Sequence, residues 1–159
     1  MPATLMFDDR ETDWSTFDDA LLRAASGFER LGVAEDDVVC IMLRNEPAFL
    51  VAAFAALRLG AYPCPVNWHY RADEAGWVLA DSGAKMLVVH ADLLPQIEGA
   101  VPRNVEVVVA APQRALVTAR SQCSGYMAIP LLTRRVNSRC PTSIACRESS
   151  MMRFVANTA

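Results

Sequence analysis

The runs VVCIML (38–43), KMLVV (85–89) and VEVVVA (105–110) are apolar almost throughout, where a strand with one wet face would alternate. Strands of this kind must be covered on both faces, and parallel sheets with helices on each side are where they occur. The stretches between them read as helices. Strand, helix, strand, helix, strand, helix, strand is the order of an α/β fold, a parallel sheet with flanking helices joined by right-handed crossovers.

The helices have their own signals. Phe17, Leu21, Ala24, Phe28 and Leu31 recur at helical spacing, with Ser15 and Asp18 placed as a capping box and Gly32 as a left-handed stop. Asn45 is expected to cap the next helix, with Pro47 in its first turn, where no amide donor is needed. AFLVAAFAALRL is apolar nearly all round, which predicts a helix sandwiched between other elements and ended by Gly60. AYPCPV reads as a short strand, because each proline removes a ladder donor. Residues 72–82 read as a helix with Asp73 and Glu74 at the favourable end of its dipole and Gly83 after it. A short helix is expected at 92–99, limited by Pro95, and 105–110 is the last clear strand.

Length and charge bound the rest. A chain of 159 residues can bury a core. Its longest apolar run is ten residues, 48–57, half of what a membrane span needs (about 20). The start, MPATLMFDDRETD, is acidic and lacks a secretory pattern, so the expected address is the cytoplasm. Five cysteines without paired spacing suit free thiols in a reducing compartment. Residues 1–110 hold 17 acids against 8 bases, a net of −9, whereas 111–159 hold one acid and seven arginines, a net of +6. Six of the nine serines and three of the five cysteines lie in that second stretch. Its pattern fades, with YMAIPLL as the one apolar patch. Two regions are therefore expected: 1–110, folded, and 111–159, an irregular, poorly ordered Arg/Ser/Cys-rich tail.

Few site signatures are present. The seven glycines are spread out, mostly at helix ends, so no phosphate cradle of clustered glycines exists. Cys123, Cys140 and Cys146, or His69 and His90, are too far apart for zinc-type ligand pairs. No serine sits in G-x-S-x-G. Asp8–Asp9, Asp18–Asp19 and Asp36–Asp37 read as solvated loops and helix starts, and Lys85, the single lysine, as a solvated turn before a buried strand. Asn67, Trp68, His69 and Tyr70 could each do chemistry, but read mainly as a strand-to-helix joint packed by Trp68 and Tyr70.

The ordered series WSTFDDALLRAASGFERLGVAEDDVVCIMLRNEPAFLVAAFAALRLGAYPCPVNWHYRADEAGWVLADSGAKMLVV resembles the amino-terminal part of the AMP-forming acyl-CoA synthetases, within the adenylate-forming ligases. The resemblance covers 14–110, and PVNWHY is closer to the fatty-acyl branch than to the amino-acid-activating one. It implies a partial AMP-binding domain over 1–110. It also implies the family reaction: ATP with Mg²⁺ converts a carboxylic acid to an acyl-adenylate, and CoA then takes the acyl group. The groups that carry this reaction are a phosphate loop ending in Pro-Lys-Gly, an aromatic-Gly-x-Thr-Glu segment, a ribose-binding Asp and a carboxy-terminal lysine. None has a counterpart here. No residue is therefore assigned a catalytic, cofactor-binding or metal-ligating role, and no cofactor is expected for this chain alone.

The reading that follows is a truncated, inactive ligase whose tail is an out-of-frame product of GC-rich coding. The alternatives are a non-enzymatic binding module with a basic carboxy-terminal arm, and one subunit of a split ligase. Arginines that alternate with Ser, Cys and apolar residues do not form a nucleic-acid stripe, so no nucleic-acid partner is expected. Self-association through uncovered apolar surface is expected.

Overall fold

A computed structural model describes residues 4–8, 10–111 and 131–133. The chain opens with an antiparallel hairpin of β1 (Thr4–Phe7) and β2 (Arg10–Asp13) and enters α1 (Trp14–Arg30). Then follow β3 (Val38–Met42), α2 (Pro47–Arg58), β4 (Tyr62–Pro65), α3 (Ala72–Asp81), β5 (Met86–His90), α4 (Leu94–Ile97) with a 3₁₀ turn at Glu98–Ala100, β6 (Glu106–Ala110) and β7 (Leu131–Thr133). Five strands form one sheet in the order β4-β3-β5-β6-β7, and the first three pairings are parallel. The expected α/β architecture is present. No helix among the described residues is long and apolar enough to cross a membrane.

The unbroken apolar runs are explained by two cores, one on each face. Val39, Ile41, Met86, Val88 and Val108 face α1 and α2, while Cys40, Met42, Leu87, Val89 and Val107 face α3 and α4. Successive side chains along a strand point to opposite faces, so each run feeds both cores. A fully buried side chain of this size stabilises by about 1.5–3 kcal/mol.

Helix ends follow the sequence in part. Gly32, at φ +89°, lets Val33 N–H return to the Phe28 carbonyl at 3.0 Å, and Gly60, at φ +74°, lets Ala61 N–H return to Ala56 at 3.0 Å. Pro47 does open α2. Two caps differ from expectation. Asp13, not Ser15, caps α1: its carboxylate accepts Thr16 N–H and Thr16 Oγ1 at 2.9 Å each, and Ser15 hydrogen-bonds to it. Led by the Ser15 bond, these contacts hold the Asp13 carboxyl down at about 2. Asn45 does not cap α2; Glu46 occupies that position without a side-chain cap bond, its carboxylate lying toward β5 instead.

Three further features were not legible. The β1–β2 hairpin was unrecognised, and Asp8 turns it at φ +50°. The helix α2 is not sandwiched: Ala48, Val51, Ala52, Ala55 and Ala56 are buried, but Phe54 and Leu57 are 42% and 54% exposed. One neighbouring helix, α1, covers only part of its circumference. Finally, β6 is not the last strand, because β7, at the end of the apolar patch noted at 126–132, pairs with it antiparallel. The expectation of a poorly ordered tail otherwise lies outside the described residues, as do Asp9, Cys123, Cys140 and Cys146.

Candidate functional site

In an open parallel sheet, ligands settle outside the carboxyl ends of the strands, where neighbouring strands send their connections in opposite directions. Here that point lies between β3 and β5. The chain leaves β3 toward β4 and leaves β5 toward β6. Four ionisable residues sit there: Arg44 and Glu46 just after β3, His90 at the end of β5, and Asp92 two positions on.

They are spent on one another. Arg44 grips Asp92 with both arms of its guanidinium, Nη1 to Oδ1 at 3.1 Å and Nη2 to Oδ2 at 2.6 Å. That grip keeps Asp92 below, and Arg44 above, its ordinary titration range. The Arg44 side chain also lies 5.2 Å over the Trp68 ring. The Arg44 backbone N–H donates to His90 Nδ1 at 3.3 Å, which makes Nδ1 the acceptor and puts the ring proton on Nε2. His90 is 0% exposed, and its Nε2 has no hydrogen-bond partner. Glu46 Oε2, also buried, is 3.7 Å away. Burial pushes the His90 titration down, Arg44 adds to this, and Glu46 opposes it. The arrangement clamps two strand exits. It presents no nucleophile and no unspent cation.

The joint expected at Asn67–Tyr70 is a joint. Asn67 Oδ1 accepts His69 N–H at 3.0 Å, and Tyr70 N–H donates to the Asn67 carbonyl at 3.0 Å, a local turn. Trp68 and Tyr70 pack against the α3 core, and the exposed His69 ring stacks on Trp68 with centroids 3.5 Å apart. Lys85 is exposed, its backbone tied to Val38 and Glu106. Asp18, Asp19 and Asp36 are exposed, and Asp37 accepts Ala34 N–H at 2.8 Å. Lys85 and these aspartates do not join the cluster at the switch point; of the joint, Trp68 touches it, beneath Arg44. Sequence reading missed that cluster, weighing His90 only as a zinc ligand. The available signal was two charged pairs, R-x-E and H-x-D, each directly at the end of a buried run.

No group of three or more metal-ligating side chains comes together among the described residues. Two concavities are seen among the described residues: one is a void of about 10 Å³ between Phe28, Val51 and Val88, too small for a substrate. The other is a shallow groove of about 400 Å³ on the outer side of α3, lined by Tyr70, Asp73, Glu74, Trp77 and Val78.

Comparison with known proteins fits this frame. A crotonobetaine/carnitine–CoA ligase of Salmonella paratyphi A is 29% identical over 86 residues, 54% of this chain and 17% of its own length. The long-chain-fatty-acid–CoA ligase FadD13 of Mycobacterium tuberculosis is 33% identical over 76 residues, 48% of this chain and 15% of its own. The solved structure of the anthranilate–CoA ligase AuaEII with anthranoyl-AMP matches with a TM-score of 0.60 and 25% identity, over 64% of this chain and 20% of that one. This chain thus spans about one sixth of the curated relatives it matches. The family profile described as AMP-binding enzyme matches residues 2–143, and the chain belongs to that family.

Proposed function

We propose that this chain is the amino-terminal scaffold of an AMP-forming acid–CoA ligase, whose whole reaction activates a fatty or related carboxylic acid with ATP and Mg²⁺ and hands the acyl group to CoA. The observation that carries the reading is the family match over 2–143 on a sheet whose switch-point charges are already paired. A phosphate would need cationic or clustered backbone donors there. Arg44 is held by Asp92, and no metal-binding group forms among the described residues. These residues do not fit the phosphates or the ion, and nothing in them would transfer an adenylyl group.

The reading keeps the division at 110. The division is one of composition: residues 1–110 supply most of the scaffold, and 111–159, a basic stretch, adds β7 to its sheet. The proposed address is the cytoplasm, where ATP and CoA are both available. The test is exchange of labelled pyrophosphate into ATP by the purified chain with a panel of carboxylic acids. Background exchange throughout is expected. Acid-dependent exchange that survives repurification would overturn the reading.

A further inference from the structure

Cys40 and Cys64 lie 24 positions apart in sequence, and the sheet makes them neighbours. They are register partners on the parallel strands β3 and β4. Partners on adjacent strands sit about 4.8 Å apart at Cα, inside the roughly 4.4–6.8 Å range that a disulfide spans. Both side chains face the α3 core, with Cys40 fully buried and Cys64 half-buried beside it. Each is a free thiol, and they face the same core from paired register positions. Ser82 Oγ, at the end of α3, is 3.4 Å from Cys40 Sγ. Among the described residues β4 is an edge strand, paired on one side only, and prolines 63 and 65 flank its cysteine.

We propose that Cys40 and Cys64 are a redox-modifiable pair, which a small-molecule disulfide such as oxidised glutathione closes into a bond across β3 and β4. Cys64, the half-buried partner, is the sulfur a reagent reaches. Its sulfur attacks one sulfur of the reagent, the first thiolate leaves and takes up the Cys64 proton, and a mixed disulfide forms. Cys40 then attacks the Cys64 sulfur and expels the second thiolate, which takes up the Cys40 proton. Two protein thiols and one reagent disulfide become one protein disulfide and two reagent thiols. Burial pushes the Cys40 thiol up to about 12, with Ser82 opposing and Cys64 adding to the rise. Cys40 is thus inert toward reagents in solution and waits for its neighbour. The Ser82 hydroxyl stands where it can donate to the sulfur as the proton departs.

The bond would staple the edge strand to the sheet just before the Asn67–Tyr70 turn, whose Trp68 rests on Arg44. Trypsin reads it out on the full-length chain. Cleavage after Arg30, Arg44, Arg58 and Arg71 puts Cys40 in peptide 31–44 and Cys64 in peptide 59–71, each with a single cysteine. The folded, reduced chain is equilibrated with oxidised glutathione, quenched in acid, alkylated, digested and weighed. The expected result is loss of both free peptides in favour of a linked 31–44/59–71 pair, reversed by dithiothreitol. A parallel digest of a Cys123→Ser/Cys140→Ser/Cys146→Ser variant should give the same pair. Glutathione left on Cys64 with Cys40 still alkylated would overturn the proposal. So would a linked pair that forms only in denaturant, or one that links to the tail cysteines instead.

Discussion

The two faces of the sheet solve the same problem with different materials. On one, α1 and α2 pack large side chains, with Phe17 and Phe28 buried against alanine-rich positions of α2. On the other, the shorter α3, α4 and the 3₁₀ turn bury mainly Leu, Ile and Val, such as Leu79, Leu93, Ile97 and Val107, and Gly76 lets α3 come close to Ala100. The long-helix face leaves apolar surface outside, at Phe54 and Leu57; the short-helix face leaves Trp77, 66% exposed, beside Asp73 and Glu74. The long-helix face thus sets two phenylalanines against small residues, and the short-helix face depends on one glycine where α3 meets the 3₁₀ turn.

The largest expected effects probe the cores. Phe28→Ala should cost about 3–5 kcal/mol and Leu79→Ala about 2–5 kcal/mol, read as shifts in urea midpoint. Both side chains are almost fully buried. If the faces fold as one unit, each variant lowers a single transition. Two separated transitions in Leu79→Ala would show the short-helix face melting alone.

Matched glycine substitutions sharpen the contrast. A Cβ at Gly76, in α3, would meet the Ala100 Cβ at 2.9 Å and its carbonyl oxygen at 3.1 Å, whereas one at Gly27, in α1, meets nothing within 4 Å. Gly76→Ala should therefore destabilise by about 1–3 kcal/mol, and Gly27→Ala should stabilise by about 0.4–1 kcal/mol. Thermal melts of the two variants should move in opposite directions; same-sign shifts would defeat the close-approach account.

His90 sits at the carboxyl ends of the strands that both faces share. The folded state lowers its titration below the ordinary value of 6.5, so the unfolded chain binds the proton first. The stability it contributes is complete above about pH 6.5 and drains as pH falls toward the folded-state value, at no more than about 1.4 kcal/mol per pH unit. His90→Asn keeps an acceptor for Arg44 N–H and removes the titration. Urea midpoints from pH 8 to 5 should fall less steeply in that variant than in the parent chain; equal slopes would place the acid sensitivity elsewhere.

Among the apolar substitutions the smallest effect on stability is expected at Phe54. Phe54→Asp should lower the melt less than Phe28→Ala does, because the ring is 42% exposed and its main loss is the edge-on contact with Phe17, 6.0 Å between centroids. Its effect should fall on association. Light scattering over a dilution series should show the parent chain self-associating and the variant less so. A parent that stays monomeric at every concentration would rule out α2 as a sticky face.

The sequence by itself determined which segments are the buried parallel strands. Val39 to Met42 and Met86 to Val89 could only be strands covered twice, because no polar position offered a wet face. Gly32 and Gly60 marked helix ends because a positive φ is cheap only there. The family followed from the same ordered series of elements. Local caps were less legible, since Asp13 and Ser15 are both good caps and which side-chain oxygen meets the first amides of α1 is a matter of ångströms. What only the tertiary structure decided is everything made by strands meeting side by side. Arg44 meets Asp92 across 48 positions, His90 meets Glu46 across the switch point, and Cys40 meets Cys64 across β3 and β4. Strand order and register create those contacts. Register is legible when apolar and polar positions alternate, and strands buried on both faces carry no such alternation.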